Sequence, residues 1–172
     1  MGGAACPTYA SIQALKPRNG GKMGRVFWRW IVRLFKWSKM YAVFIPEIDA
    51  EHKNIFRLAD ELHQAVLGGA PVDRVQTVLR ELIASDERHF AHEERLMRAT
   101  HYPASAWHKG QHDTVRKRVK EFAPRIRGGE GQAALLLLEF LSGWLHGHVR
   151  LADCMMASHV RNYERAQAAL AS

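Results

Sequence analysis

The sequence predicts an all-α protein, an up-down-up-down antiparallel four-helix bundle behind a basic N-terminal extension, and three observations carry that prediction. Apolar residues recur at three- and four-residue spacings through four segments of about 20 residues each, as helical faces require. Short turn-forming stretches separate those segments: Gly68 to Pro71, His101 to Pro103, and Gly128 to Gly131. Connections this short leave room only for antiparallel neighbours. Strand alternation, internal repeats and Gly-rich phosphate loops are all absent from the sequence.

Composition bounds the rest. The chain has 172 residues, 47% hydrophobic and 24% charged, which suits one globular domain. Cys6 and Cys154 lie far apart and give no disulfide framework, pointing to a reducing compartment and a cytoplasmic location. The net charge of +8 is confined to one end. Residues 1–40 hold eight Lys or Arg and no acid, whereas the remainder holds seventeen of each sign. The body is therefore neutral, and no nucleic-acid partner is expected. Ten histidines are a surplus that calls for a function.

The organisation expected is a basic extension over 1–36 and a helical domain over 37–172. Residues 1–24, rich in Gly, Ala, Pro, Ser and Asn, read as disordered. An amphipathic helix is expected over about 22–36, where Lys22, Arg25, Arg29, Arg33 and Lys36 fall within about 80° on a helical wheel. Phe27, Trp28, Trp30, Ile31, Leu34 and Phe35 fill the rest of the wheel. Such a helix suits the surface of an anionic membrane. It cannot span one, because its uncharged runs are far below the roughly 20 residues needed. Arginines at every fourth position also rule out a secretory signal. Met23 and Met40 offer internal starts that would omit most or all of this extension.

In the body, Trp37 to Ile48 reads as an ordered lead-in. Asp49 is the expected N-cap of a first helix over 50–67, with His52 in its first turn and Ile55, Leu58, Ala59, Leu62 and Val66 as its core stripe. Pro71 opens a second helix, whose apolar positions Val75, Val78, Leu79 and Leu82 lead to His89 and Glu93. A third, over 104–126, carries His108, His112, Val115, Val119 and Phe122 on one side, with Pro124 near its end. The fourth, over 132–156, is apolar nearly all round before Trp144 and then carries His148 and Asp153. A last amphipathic piece, Val160 to Leu170, extends or caps the bundle.

His89 and Glu93, like His108 and His112, are four residues apart, so each pair points from one helical face. With His52, His148 and Asp153 they make five imidazoles and two carboxylates without a thiolate. That donor set suits iron, manganese or zinc and argues against copper(I) or an iron–sulfur cluster. A single metal needs fewer ligands, so seven imply two metals. Two bridging carboxylates, a solvent-derived bridge and histidines divided three and two would leave one metal with an open position. The five-residue step from His148 to Asp153 turns an α-helix by about 140° net, so Asp153 is expected to approach from a different direction.

The ordered set His, His-x-x-x-Glu, His-x-x-x-His, His-x-x-x-x-Asp resembles that of the hemerythrins, bacterial ones in particular. The flanking words agree: WSKMYAVFIPEIDAEH at 37–52, HFAHEERLM at 89–97 and WLHGH at 144–148. The resemblance covers about 37–156. It implies two iron ions with an oxo or hydroxo bridge, His108, His112 and His148 on one iron, His52 and His89 on the other, and Glu93 and Asp153 bridging. It also implies an O2 pocket of Ile55, Phe90, Trp144, Leu145 and Val149, apolar and free of any obvious acid or base. Two positions depart from the family pattern, Glu51 where Gln is common and Phe44 where a small residue is, and neither is expected to touch a ligand. His63, His92, His101, His146 and His159 have no place in the pattern and are expected at the surface or in local hydrogen bonds.

The function this implies is reversible O2 binding, as carrier, store or sensor, by a binding protein rather than an enzyme. The alternatives are a di-iron enzyme reducing O2, peroxide or nitric oxide, and a redox-sensing signalling module. O2 is the expected ligand. Residues 22–36 would place the protein peripherally at the inner membrane face, beside a membrane oxygen-using enzyme.

Overall fold

The structure, a computed structural model, describes residues 35–171, and within them every regular element is helical. The expected amphipathic helix over about 22–36 lies almost wholly outside the described residues. Phe35, assigned above to its apolar face, is instead buried, its ring packed against His63 and His146.

Four long helices follow in order: α1 (Pro46–Leu67), α2 (Val72–Ala99), α3 (Ser105–Arg127) and α4 (Gly131–His148). Contacts link α1 with α2, α2 with α3, α3 with α4, and α4 back to α1, closing a bundle. A π-helical turn, Val149–Asp153, then joins α4 to α5 (Cys154–Ala171) without an intervening loop. The fourth helix of the bundle is therefore longer than its ligands need, and it contains one wide turn.

Local chemistry explains the boundaries. Pro46 starts α1 because a first-turn proline loses no helical hydrogen bond, so the helix begins before Asp49. Asp49 is not the N-cap expected of it. Its carboxylate instead accepts from the Val43 and Phe44 backbone N–H groups, at 2.8 and 3.1 Å, and clamps the lead-in onto the helix. Phe44 takes φ 60°, a conformation that costs a side-chain-bearing residue about 1 kcal/mol or more. That explains why a small residue suits this position. The bend also leaves the Phe44 ring exposed, below the Arg161 guanidinium.

Gly69 at φ 66° ends the α1–α2 turn, and His101 at φ 53° makes the tight turn between α2 and α3. Pro124 sits inside the final turn of α3 without ending it, since α3 runs on to Arg127. Most of the expected core is buried: Ile55, Leu58, Ala59 and Leu62 of α1, Val75, Val78, Leu79 and Leu82 of α2, Val115 and Phe122 of α3, and Leu137, Leu138, Leu141 and Leu145 of α4, whereas Val66 and Val119, nearer the helix ends, are half-buried. Burial of these side chains stabilises the bundle by roughly 1.5–3 kcal/mol each. It also fixes the rotation of each helix about its axis, which decides where the histidines point.

Candidate metal centre

The seven residues singled out by spacing converge at mid-bundle, each at most 5% exposed. Two sets of donor atoms lie within 4.8 Å of one another: Glu93, His108, His112 and His148, and His52, His89, Glu93 and Asp153. Glu93 belongs to both. Its Oε2 is 3.2 Å from His108 Nε2, 3.1 Å from His112 Nε2 and 3.6 Å from His89 Nε2. Asp153 divides its oxygens, Oδ1 lying 3.0 Å from His148 Nε2 and 3.3 Å from His108 Nε2, and Oδ2 lying 3.1 Å from His52 Nε2. Each carboxylate thus reaches both groups, as a bridging ligand must.

The expected offset of Asp153 from His148 does not occur, and the π turn is the reason. A π turn closes on the fifth residue rather than the fourth, so His148 and Asp153 lie on one face. Asp153 approaches from the same direction as His148.

Several of these contacts are close without being hydrogen bonds. His52 Nε2, His148 Nε2, Glu93 Oε1 and both Asp153 oxygens have no hydrogen-bond partner despite complete burial. Lone pairs that crowd together without pairing are what a cation site looks like, because leaving them unsatisfied would otherwise cost several kcal/mol. Burial opposes ionisation of Glu93, as does Asp153, yet His89 and hydrogen bonds from His108 and His112 hold its carboxyl down at about 2. Asp153 also pays for burial but is held well below the usual carboxylate range by His148 and His108. Burial disfavours protonation of His89 and His108, and the neighbouring carboxylates reverse this, raising both to about 9. The cluster therefore demands buried positive charge. Two divalent or trivalent ions would satisfy it, and the imidazole and carboxylate donors fit iron.

A second layer holds the imidazoles. Glu51 Oε2 is 3.0 Å from His89 Nδ1, and Oε1 is 2.9 Å from His92 Nδ1. Glu51 thus touches a ligand position, contrary to the expectation above, because α1 turns it toward α2 rather than outward. Glu94 Oε1 lies 3.3 Å from His112 Nδ1 and accepts from Arg116 at 3.2 Å. A proton held on Nδ1 leaves the Nε2 lone pair free to face inward. Phe90 stacks on His112 at 4.0 Å, and Trp144 stacks on His148 at 4.2 Å.

Of the five expected pocket residues, Ile55, Trp144 and Leu145 line one small cavity together. Phe90 and Val149 are buried, but Phe90 borders a separate outer groove and Val149 borders neither. The cavity wall also contains Asp86, so the pocket is not free of acid as expected. Its signal was available: Asp86 stands three residues before His89, on the same helical face. Among the other histidines, His92, His146 and His159 make local hydrogen bonds and His101 is exposed, as expected. His63 is instead buried against Phe35, and burial lowers its pKa. Cys154 is half-buried in a cluster with Val43, Ile48 and Ala157.

Comparison with known proteins adds an independent observation. The family model of the hemerythrin HHE cation binding domain matches residues 43–159. A bacteriohemerythrin of Stenotrophomonas maltophilia is 34% identical over 128 residues, 74% of this chain and 82% of that protein. A bacteriohemerythrin of Aquifex aeolicus is 30% identical over 132 residues, 76% of this chain and 98% of that protein. A myohemerythrin of Sipunculus nudus is 27% identical over 119 residues, 69% of this chain and 88% of that protein.

Proposed function

This chain belongs to the hemerythrin family, and from that premise we propose that it is a non-haem di-iron protein that binds O2 reversibly as a carrier or store. The ligand assignment is part of the proposal: His108, His112 and His148 would hold one iron, His52 and His89 the other, and Glu93 and Asp153 would be shared between them, with an oxo or hydroxo group as the solvent-derived ligand. The observation that carries it is the division of Asp153, one oxygen toward each histidine group, with Glu93 common to both.

When bound, an iron pair supplies an open coordination position and two electrons that can be lent to O2 and recovered. Everything else falls to the chain. Glu51 and Glu94 fix the tautomers of His89 and His112. Ile55, Trp144 and Leu145, which line one small cavity, keep water from the open position, and the buried Phe90 and Val149 pack behind them, so that recovery competes with loss.

Among the described residues no helix is long and apolar enough to cross a membrane. The proposal adds that residues 22–34, ahead of the buried Phe35, rest on an anionic surface at the cytoplasmic face of the inner membrane, where O2 could be handed to an oxygen-using membrane enzyme. What supports this is the cationic stripe opposite Trp28, Trp30 and Phe27. Co-sedimentation with anionic liposomes should fall in a chain begun at Met40, and equal partitioning would remove this part of the proposal.

The central test is stoichiometric. Loading with Fe(II) under argon should give two irons per chain, and one O2 per chain should be taken up and recovered under vacuum. Sustained O2 consumption with an electron donor would replace the carrier reading by an enzymatic one.

A further inference from the structure

Of the five imidazoles at the centre, only two have a partner on Nδ1. In His52, His108 and His148 that nitrogen is buried without one, whereas His89 meets Glu51 at 3.0 Å and His112 meets Glu94 at 3.3 Å. Each histidine group thus has one imidazole held from behind by a carboxylate. The two carboxylates are not equivalent. Glu51 turns one oxygen to His89 and the other to His92, and among the described residues no Lys or Arg pairs with it. Glu94 turns the same Oε1 to His112 and to Arg116 Nη1, which lies 3.2 Å away.

Arg116 stands one helical turn after His112 on α3 and reaches across to α2. Its Nε lies 3.1 Å from both Glu87 oxygens, Nη2 lies 3.0 Å from Glu87 Oε2, and Nη1 lies 2.9 Å from Asp113 Oδ1. A planar fork held from three sides has little freedom left. Its guanidinium carbon stands 5.2 Å over the Phe90 ring, and Phe90 stacks on His112 at 4.0 Å and 13° from parallel. One side chain therefore reaches the same imidazole by two routes, at the Nδ1 edge through Glu94 and at the ring face through Phe90. Burial opposes ionisation of Glu94, and hydrogen bonds from His112 and Arg116 hold its carboxyl below the usual range.

A carboxylate that accepts from Nδ1–H makes an imidazole a stronger donor. A guanidinium on the same oxygen draws that charge away, and the 3.3 Å contact to His112 is long beside the roughly 2.7–2.9 Å of an undivided charge-assisted hydrogen bond. We propose that Arg116 is a positioning residue of the metal centre, which fixes the His112 imidazole through Glu94 and Phe90 and restrains its electron donation, so that the two irons are electronically unequal. The proposal rests on the di-iron reading above. The imbalance favours electron loss at the iron of His52 and His89, whose backing carboxylate has no guanidinium to share it.

The test titrates the midpoint potential of the full iron-loaded chain in a double-mutant cycle of Arg116→Met and Glu94→Gln. Circular dichroism and iron analysis verify that each variant folds and holds two irons. Arg116→Met leaves Glu94 uncompensated, so the ferric-over-ferrous preference should rise about tenfold, a fall of about 59 mV in a one-electron step. In the Glu94→Gln background the same substitution should move the potential far less. A charge acting directly through space would give an equal fall in both backgrounds, and that result overturns the proposal. So does a potential unmoved by Arg116→Met in a chain that keeps both irons, which is what a purely structural role requires. Where Arg116→Met fails to hold two irons, Arg116→Lys takes its place, keeping the charge but losing the fork. A smaller fall that again shrinks in the Glu94→Gln background is then expected, and no fall overturns the proposal. Failure of the di-iron reading looks different: the unsubstituted chain itself binds fewer than two irons.

Discussion

The π turn between His148 and Asp153 makes a sharp prediction about spacing. In a straight α-helix a five-residue step turns 140° net, and for a carboxylate about 6 Å from the axis that is a displacement of about 11 Å. Asp153 could not then reach the His148 side of the centre, yet its Oδ1 lies 3.0 Å from His148 Nε2. The wide turn thus absorbs one extra residue. Deleting Leu151, whose side chain is mostly exposed, restores a four-residue step with a net turn of about 40° and a displacement of about 4 Å, within reach of a rotamer change. Inserting an alanine between Ala152 and Asp153 gives a six-residue step, about 120° off and about 10 Å away. Iron analysis after anaerobic loading, with circular dichroism to verify the helices, should find two irons per chain in the deletion variant and no more than one in the insertion variant. The reasoning fails if the insertion variant still holds two irons, or if the deletion variant folds and holds none.

Three further outcomes follow from particular contacts. Replacing Glu51 by Gln removes a negative charge 3.0 Å from His89 Nδ1, so the imidazole becomes a weaker donor and the ferric state is less favoured. Electrochemical titration should show a higher midpoint potential for Glu51→Gln, and an unchanged or lower one would contradict this. Phe44→Gly relieves the backbone at φ 60° and should raise stability by about 1 kcal/mol in denaturant melts, provided the exposed Phe44 ring contributes little. Burial raises the Asp86 carboxyl from 3.8 to about 7, with His89 opposing and Glu87 adding to the shift. A folded-state carboxyl raised in this way keeps its proton where the unfolded chain releases it, so stability is lost as pH rises from about 4 to about 7 and is flat above. In iron-free protein, the advantage of Asp86→Asn over the unsubstituted chain should grow by about 3 kcal/mol between pH 5 and pH 8. An advantage that shrinks with rising pH would show that burial does not govern this carboxyl.

How much of this could be read from the sequence depends on what each feature requires. The four helices and their buried stripes were legible because period and burial are the same information, as at Ile55, Leu62, Leu79 and Leu82. His89 with Glu93, and His108 with His112, were legible because a four-residue step has one meaning on any helix. Asp153 was legible as a candidate but not in its direction, since VRLAD carries no composition that marks a π turn. Asp49 was misread because Pro46 opens the helix first and frees the aspartate to bind the lead-in. Glu51 was missed because it acts across a helix interface, and the rotation of one helix against another is fixed only by packing of the whole core, whereas Asp86 was overlooked although it stands three residues before His89 on the same helical face.

The most direct measurement cycles the Fe(II)-loaded chain between O2 and argon while its visible spectrum is recorded. The account predicts a charge-transfer band that appears with O2, disappears on its removal, and returns over repeated cycles with two irons still bound per chain. A single irreversible change to a ferric spectrum, or one metal per chain, would contradict it.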